Sequence, residues 1–252
     1  MDNSFKGTLA ASTRLRGLWL VSGSPTVTEA MSVAGWDFLV LDLEHAAVSV
    51  WDVASHLRAA QMGNTPIIVR LPDANPGFVK QALDAGAHNL MFPFIESAEQ
   101  AQHAVSLTRY APEGVRGLAR VMRASQYGTH ADYAKEANQQ ITVIAQLESL
   151  QALQQVRAVA AVPGVTALFI GPGDISASLG LAGEVNHPNV ASTLAEGFAD
   201  CKAIGMPVGT ILPNASAVKA AFSAGCTFAA VSSDIGTLIA ASRQAQAALN
   251  ET

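Results

Sequence analysis

Two rhythms of apolar residues alternate along this chain. Short, nearly continuous runs such as Phe38-Leu39-Val40-Leu41 and Ile67-Ile68-Val69 have the character of strands buried on both faces. Longer stretches between them repeat their apolar positions every three or four residues, as an amphipathic helix does. The short runs predict strands over 18–21, 38–43, 67–70, 89–92, 141–147, 167–170, 207–212 and 228–232. The longer ones predict helices over 26–34, 51–61, 76–85, 98–110, 150–160, 190–204, 215–224 and 237–249. Strands alternating with helices make a parallel sheet with crossovers, and eight is the number of strands that closes a (β/α)8 barrel. Ala34-Gly35, Ala85-Gly86 and Ala224-Gly225 end helices just before the next strand and hint at a repeated βα unit. The segment 111–140 breaks the rhythm: with Pro112, Gly114, Arg116, Arg120, Arg123, Tyr127 and Tyr133 it reads as a lid, a binding loop or an interface.

Length agrees with the pattern, since 252 residues suit one α/β TIM barrel, and 1–252 is read as a single domain. Half of the residues are apolar and 14% charged, which implies a large covered core and excludes disorder. Twenty acidic against 15 basic residues, with no cluster denser than Arg14-Leu15-Arg16 or the arginines between 116 and 123, argue against nucleic acid as a partner. The amino terminus lacks the apolar core of a signal peptide and no apolar stretch is long enough to cross a bilayer, so a cytoplasmic protein without a membrane partner is expected. Cys201 and Cys226 have no metal-ligand spacing and read as reduced, buried thiols.

In a barrel, the carboxyl ends of the strands face the active site. Here they are polar: Asp42, Glu44 and His45 end the second strand, Arg70 the third, Gln146 and Glu148 the fifth, Asp174 the sixth and Ser232-Ser233-Asp234 the eighth. Glu148 and Asp174, on neighbouring strands, are hard oxygen donors suited to magnesium, manganese or cobalt, or else they are helix N-caps. Arg70 either meets an anion or carbonyl oxygen of a ligand or pairs with Asp42 or Glu44. His45 is a candidate general base or a plain surface group. The lysines, at 6, 80, 135, 202 and 219, fall in helical patterns or at the terminus, which disfavours a Schiff base. No Gly-x-Ser-x-Gly elbow, Walker loop or Gly-x-Gly-x-x-Gly fingerprint is present.

Together, Gly17-Leu18-Trp19, Asp42-Leu43-Glu44-His45-Ala46, the Arg70 strand, the run from Lys80 to Ala87, Pro112-Glu113-Gly114-Val115-Arg116-Gly117, Gln146-Leu147-Glu148 and the run from Gly171 to Ser176 resemble the metal-dependent class II pyruvate aldolases of the HpcH/HpaI type, nearly end to end. The resemblance implies a (β/α)8 barrel, a homohexamer built as a trimer of dimers, and a carboxyl-terminal helix exchanged between subunits. It implies reversible cleavage of a 4-hydroxy-2-oxo acid to pyruvate or hydroxypyruvate and an aldehyde, with a divalent cation (Mg2+, Mn2+ or Co2+) on Glu148 and Asp174. It also assigns Arg70 to the 2-oxo oxygen and His45 to acid/base work through a water. Gln146 lines the metal site, Gly173, Asp174 and Leu212 form the pyruvate wall, and Asp42 and Asp84 orient the histidine, Asp84 from a neighbouring subunit.

Three stretches depart from the family pattern: Ala46-Ala47-Val48-Ser49, Leu71-Pro72-Asp73 and Phe92-Pro93-Phe94-Ile95-Glu96. They flank the aldehyde side and leave the acceptor open. The competing readings are a CoA-ester lyase of the citrate-lyase β type, which wants a basic groove for the CoA phosphates, and a non-catalytic barrel that binds an oxo acid.

Overall fold

Side chains on each strand alternate between the barrel interior and the surrounding helices, and this period of two sorts the core into two shells. In a computed structural model, which describes residues 3–11 and 14–249, the strands are β1 (Leu15–Leu20), β2 (Phe38–Asp42), β3 (Ile67–Arg70), β4 (Asn89–Phe92), β5 (Thr142–Leu147), β6 (Val165–Ile170), β7 (Val208–Leu212) and β8 (Phe228–Ser233). All eight pair in parallel, in sequence order, and β8 returns to β1 to close the barrel. Phe38 and Val40 point inward beside Leu15, Trp19, Ile68, Met91, Ile144, Phe169 and Phe228. Leu39 and Leu41 belong to the outer shell, packed against the helices.

Large rings fill the interior because glycine makes room for them. A Cβ at Gly17 would lie 2.2 Å from the Phe38 ring, and one at Gly209 2.3 Å from the Phe228 ring, so each backbone is covered flat by its neighbour's aromatic side chain. The helix Ser4–Ala11, which the apolar rhythm does not predict, closes the amino end by placing Phe5 against Phe38 and Phe228 at 5.7 and 6.1 Å between ring centroids. Beside it, Asn3 Nδ2 donates to Asn89 Oδ1 (2.8 Å), Thr142 Oγ1 (3.0 Å) and the Gln140 carbonyl (2.8 Å).

The other differences from the sequence pattern have local causes. β1 starts at Leu15 because Leu15 pairs with Phe228, a continuation hidden by the outward Arg16 and the ring-covered Gly17. The expected helix over 150–160 is broken at Gln155 into Leu150–Gln154 and Val156–Ala160. Within 111–140 the chain forms a 3-10 helix at Arg123–Gly128 and an α-helix at Tyr133–Gln140. All five lysines lie on helices. Cys201 and Cys226 are free, and burial pushes both thiols up to about 12. Among the described residues no helix is long and apolar enough to cross a membrane.

Candidate active site

The period of two that builds the core also delivers the polar groups. On β2 the inward positions 38 and 40 are followed by Asp42, and on β3 Ile68 is followed by Arg70, which the register sets directly beside Asp42. Arg70 Nε and Nη2 donate to Asp42 Oδ1 and Oδ2 at 3.1 and 2.5 Å, a bidentate pair. Trp19 Nε1 donates to Asp42 Oδ2 at 3.0 Å, and its ring lies 4.9 Å from the guanidinium carbon. Arg70 Nη1 stands 2.7 Å from Glu44 Oε2, close enough for an ion pair though out of line for a hydrogen bond. Both ion pairs weighed for Arg70 therefore form, and they fix the guanidinium plane at the mouth.

Asp42 reaches the histidine through the backbone. Its Oδ1 accepts from the amides of Glu44 and His45 at 2.9 and 3.1 Å, which tightens the turn leaving β2. The carboxylate beside the ring itself is Glu44, with Oε2 3.7 Å from His45 Nε2. The His45 side chain is 64% exposed and overhangs the mouth. Burial works to raise the Asp42 carboxyl, but the Arg70 and Trp19 hydrogen bonds bring it below its ordinary value. For Glu44, burial and the charges of Asp42 and Asp174 prevail over Arg70 and His45, and its pKa rises.

Glu148 and Asp174 are not helix caps. The cap before Leu150–Gln154 is Ser149, whose hydroxyl accepts from the Ala152 amide, and the cap before Pro172–Ser178 is Gly171. Asp174 sits in the first turn of that short helix, and Glu148 is 3% exposed on the floor of the mouth. Glu148 Oε2 accepts from the Phe94 amide (3.0 Å) and Oε1 from Gln146 Nε2 (2.6 Å). A Cβ at Gly171 would lie 2.7 Å from Glu148 Oε1, so glycine there leaves the carboxylate its space. Burial pushes Glu148 up to about 7, with Glu44 and Asp174 adding to the effect against the Phe94 amide and Arg70. Gln146 Oε1 is buried without a partner.

This donor set fits a divalent cation: two carboxylates on adjacent strand ends, mutual repulsion, and an unpartnered amide oxygen beside them. Among the described residues no group of three or more His, Cys, Asp or Glu side chains is placed to hold a metal ion. Gly173 lies beside open space in the turn with Asp174. The Leu212 side chain does not reach the mouth: on β7 Gly209 and Ile211 face the interior, so Leu212 is turned outward and packs among the helices Pro188–Ala203 and Ala215–Ala224, which leaves only its backbone at the strand end. Asp84 is elsewhere. The helix Pro76–Asp84 runs back from the mouth, and its last residue pairs with Arg116 Nη2 at 2.9 Å near the amino end of the barrel. Within one chain, the structure does not bring Asp84 to His45.

Sequence reasoning missed two residues. Trp19 lay within a quoted motif, and a buried indole N–H needing a polar partner was the signal available. Phe94 stands in one of the stretches that depart from the family pattern, but its contact with Glu148 had no signal in the sequence, because it depends on a backbone amide in a left-handed turn (φ +51).

The family described as HpcH/HpaI aldolase/citrate lyase matches residues 15–241. The chain is 41% identical over 233 residues to a 2-dehydro-3,6-dideoxy-6-sulfogluconate aldolase of Pseudomonas putida, covering 92% of this chain and 91% of that protein. It is 40% identical over 242 residues to a 5-keto-4-deoxy-D-glucarate aldolase of Salmonella newport, covering 96% and 94%. A crystal structure of an HpcH/HpaI aldolase/citrate lyase family protein from Burkholderia cenocepacia J2315 superposes with a TM-score of 0.94 at 42% identity, covering 98% of this chain and 99% of that one. By sequence and by fold, this chain belongs to the HpcH/HpaI aldolase/citrate lyase family.

Proposed function

We propose that this enzyme is a divalent-metal-dependent aldolase that reversibly cleaves a 4-hydroxy-2-oxo acid into pyruvate, or hydroxypyruvate, and an aldehyde. The observation that carries this reading is the surplus of buried negative charge at the mouth, where Glu148 is held up to about 7 by burial and by Glu44 and Asp174. Glu148 and Asp174 would hold the cation, and their oxygen donors suit Mg2+, Mn2+ or Co2+. When bound, that ion supplies a Lewis acid for the oxygens of the oxo acid.

In cleavage, His45 or a water it holds takes the proton of the 4-hydroxyl, and the C3–C4 bond breaks as the aldehyde carbonyl forms. The electron pair released at C3 passes to the 2-oxo oxygen, where the Arg70 guanidinium offsets the charge. The proton then returns to C3, giving pyruvate. Asp42, Glu44 and Trp19 hold Arg70 in place, while Gln146, Gly173, Asp174 and the backbone at Leu212 would bound the oxo acid.

Asp84 enters this scheme from a second subunit, and a homohexamer arranged as a trimer of dimers would present it. The carboxyl-terminal helix Asp234–Leu249 supports an assembly: Leu238 and Leu249 are 64% and 76% exposed, as expected of a helix exchanged between subunits. The chain, read as one 1–252 domain, would act in the cytoplasm. A CoA-ester lyase gains nothing from a mouth whose charged groups are Asp42, Glu44, Glu148 and Asp174 with Arg70 and His45. Pyruvate release from 4-hydroxy-2-oxo acids, followed through a coupled dehydrogenase, tests the reading: chelator should abolish it and added Mn2+ or Mg2+ restore it. Full activity after exhaustive metal removal would refute it.

A further inference from the structure

An aromatic residue at φ +51 needs a reason, because the left-handed region is unfavourable for a bulky side chain and glycine enters it freely. The backbone of Phe94 has one reason. Its amide donates to Glu148 Oε2 at 3.0 Å, and the next amide, of Ile95, donates to the Gln146 carbonyl at 3.0 Å, so the turn is pinned across the mouth. Glycine would serve that purpose as well. The ring is therefore the part still to be explained, and it is 51% exposed, so the core does not require it.

The ring walls a cavity of about 460 Å³ between the loops that leave β3 and β4. Pro72, Asp73 and Ala74 form one side, and Glu99 and His103, on the helix Ala98–Thr108, form the other. Phe94 links the cavity to the groups assigned above to the oxo acid: its amide touches Glu148 and the facing loop begins at Arg70, although neither of those two side chains lines the cavity itself. Asp73 and Glu99 bring two carboxylates to its lining, and no lysine or arginine is among the described residues that line it. An anionic tail would be repelled there, whereas hydroxyl groups would find acceptors beside an aromatic face.

We infer that this cavity is the acceptor subsite, that Phe94 is its specificity-determining wall, and that it takes an aldehyde with an uncharged, hydroxylated tail. The inference rests on the aldolase reading of the mouth. Phe94→Gly in the full-length enzyme separates the roles, because it keeps the amide and relieves the backbone. Exchange of the pyruvate methyl protons in D2O, followed by NMR, needs no aldehyde and reports the oxo-acid half of the site. That exchange should stay within about twofold of wild type in the double variant Asp73→Asn/Glu99→Gln, whose residues touch neither Glu148 nor Arg70. In Phe94→Gly the KM for glycolaldehyde or glyceraldehyde should rise about tenfold, more than any loss of exchange in the same variant. The double variant Asp73→Asn/Glu99→Gln should raise kcat/KM for glyoxylate relative to glycolaldehyde. Exchange preserved with an unchanged aldehyde KM overturns the subsite alone. Exchange lost in proportion to turnover makes Phe94 a support for Glu148 only. A metal-loaded wild-type enzyme that exchanges no methyl protons overturns the aldolase reading, and the subsite with it.

Discussion

The two ends of the barrel both bury polar side chains, but they treat them differently. At the amino end, Asn3, Asn89 and Thr142 satisfy one another, and Asn89 Nδ2 also donates to the Ile67 carbonyl at 3.1 Å. At the carboxyl end, Asp42, Glu44, Glu148 and Asp174 gather around Arg70, Gln146 Oε1 has no partner, and burial holds Glu148 up to about 7. A closed network of neutral groups stabilises the fold by itself. A crowd of carboxylates with one guanidinium is unfavourable until a cation joins it. The contrast separates polar residues kept for the fold from those kept for a ligand.

That contrast can be broken by substitution at either end. The largest effect is expected for Glu148→Gln, which should lower kcat about 10³-fold while leaving the thermal midpoint unchanged or raised, because a buried like charge is removed. A large loss of stability in that variant would place Glu148 with the fold. Asn89→Leu should do the opposite: it orphans Asn3 Nδ2 in part and should cost about 1–3 kcal/mol of stability, with kcat per folded enzyme intact. Denaturant unfolding and steady-state kinetics on the same samples distinguish the two.

A smaller effect is expected at the residue behind the mouth. Trp19→Phe keeps the ring near Arg70 but deletes the 3.0 Å bond to Asp42, and it should lower activity about 10–100-fold with a modest effect on stability. If Trp19→Phe turns over like wild type, the Asp42–Arg70 pair needs no such support.

The smallest effect lies outside both ends. His56 is buried between two helices, Nδ1 sharing a 2.7 Å hydrogen bond with Thr28 Oγ1 and Nε2 unpartnered. Burial sets its pKa below the ordinary 6.5, against the attraction of Asp52 and Asp234. The unfolded chain then takes up the proton first, so stability is flat above about pH 6.5 and falls as pH drops below it, by at most about 1.4 kcal/mol per pH unit for one group. His88, lowered chiefly by burial, adds in the same direction. Stability curves of His56→Gln should be flatter below that pH, and an unchanged slope would remove His56 from the account.

The barrel was legible in the sequence because strand and helix periods are local properties, and the polar ends of β2, β3, β5 and β6 follow from where each apolar run stops. The pairing of Asp42 with Arg70 was legible only as an alternative, since it depends on the register between β2 and β3. The helix Ser4–Ala11 was missed because its buried residues, Phe5 and Leu9, are too few to set a rhythm. Phe94 was seen as a departure from the family pattern, but its φ is fixed by contacts to Glu148 and Gln146, more than fifty residues away in the chain. Asp84 shows the opposite limit: its motif was visible, yet one chain places it at the wrong end of the barrel for the role implied.

The central claim is that Glu148 and Asp174 hold a divalent cation at the mouth. Calorimetric titration of the metal-stripped protein with Mn2+ tests it most directly. The account predicts one site per chain in the wild type and loss of that site in both Glu148→Gln and Asp174→Asn, with each variant folded by circular dichroism. Undiminished Mn2+ binding in the two variants would contradict it.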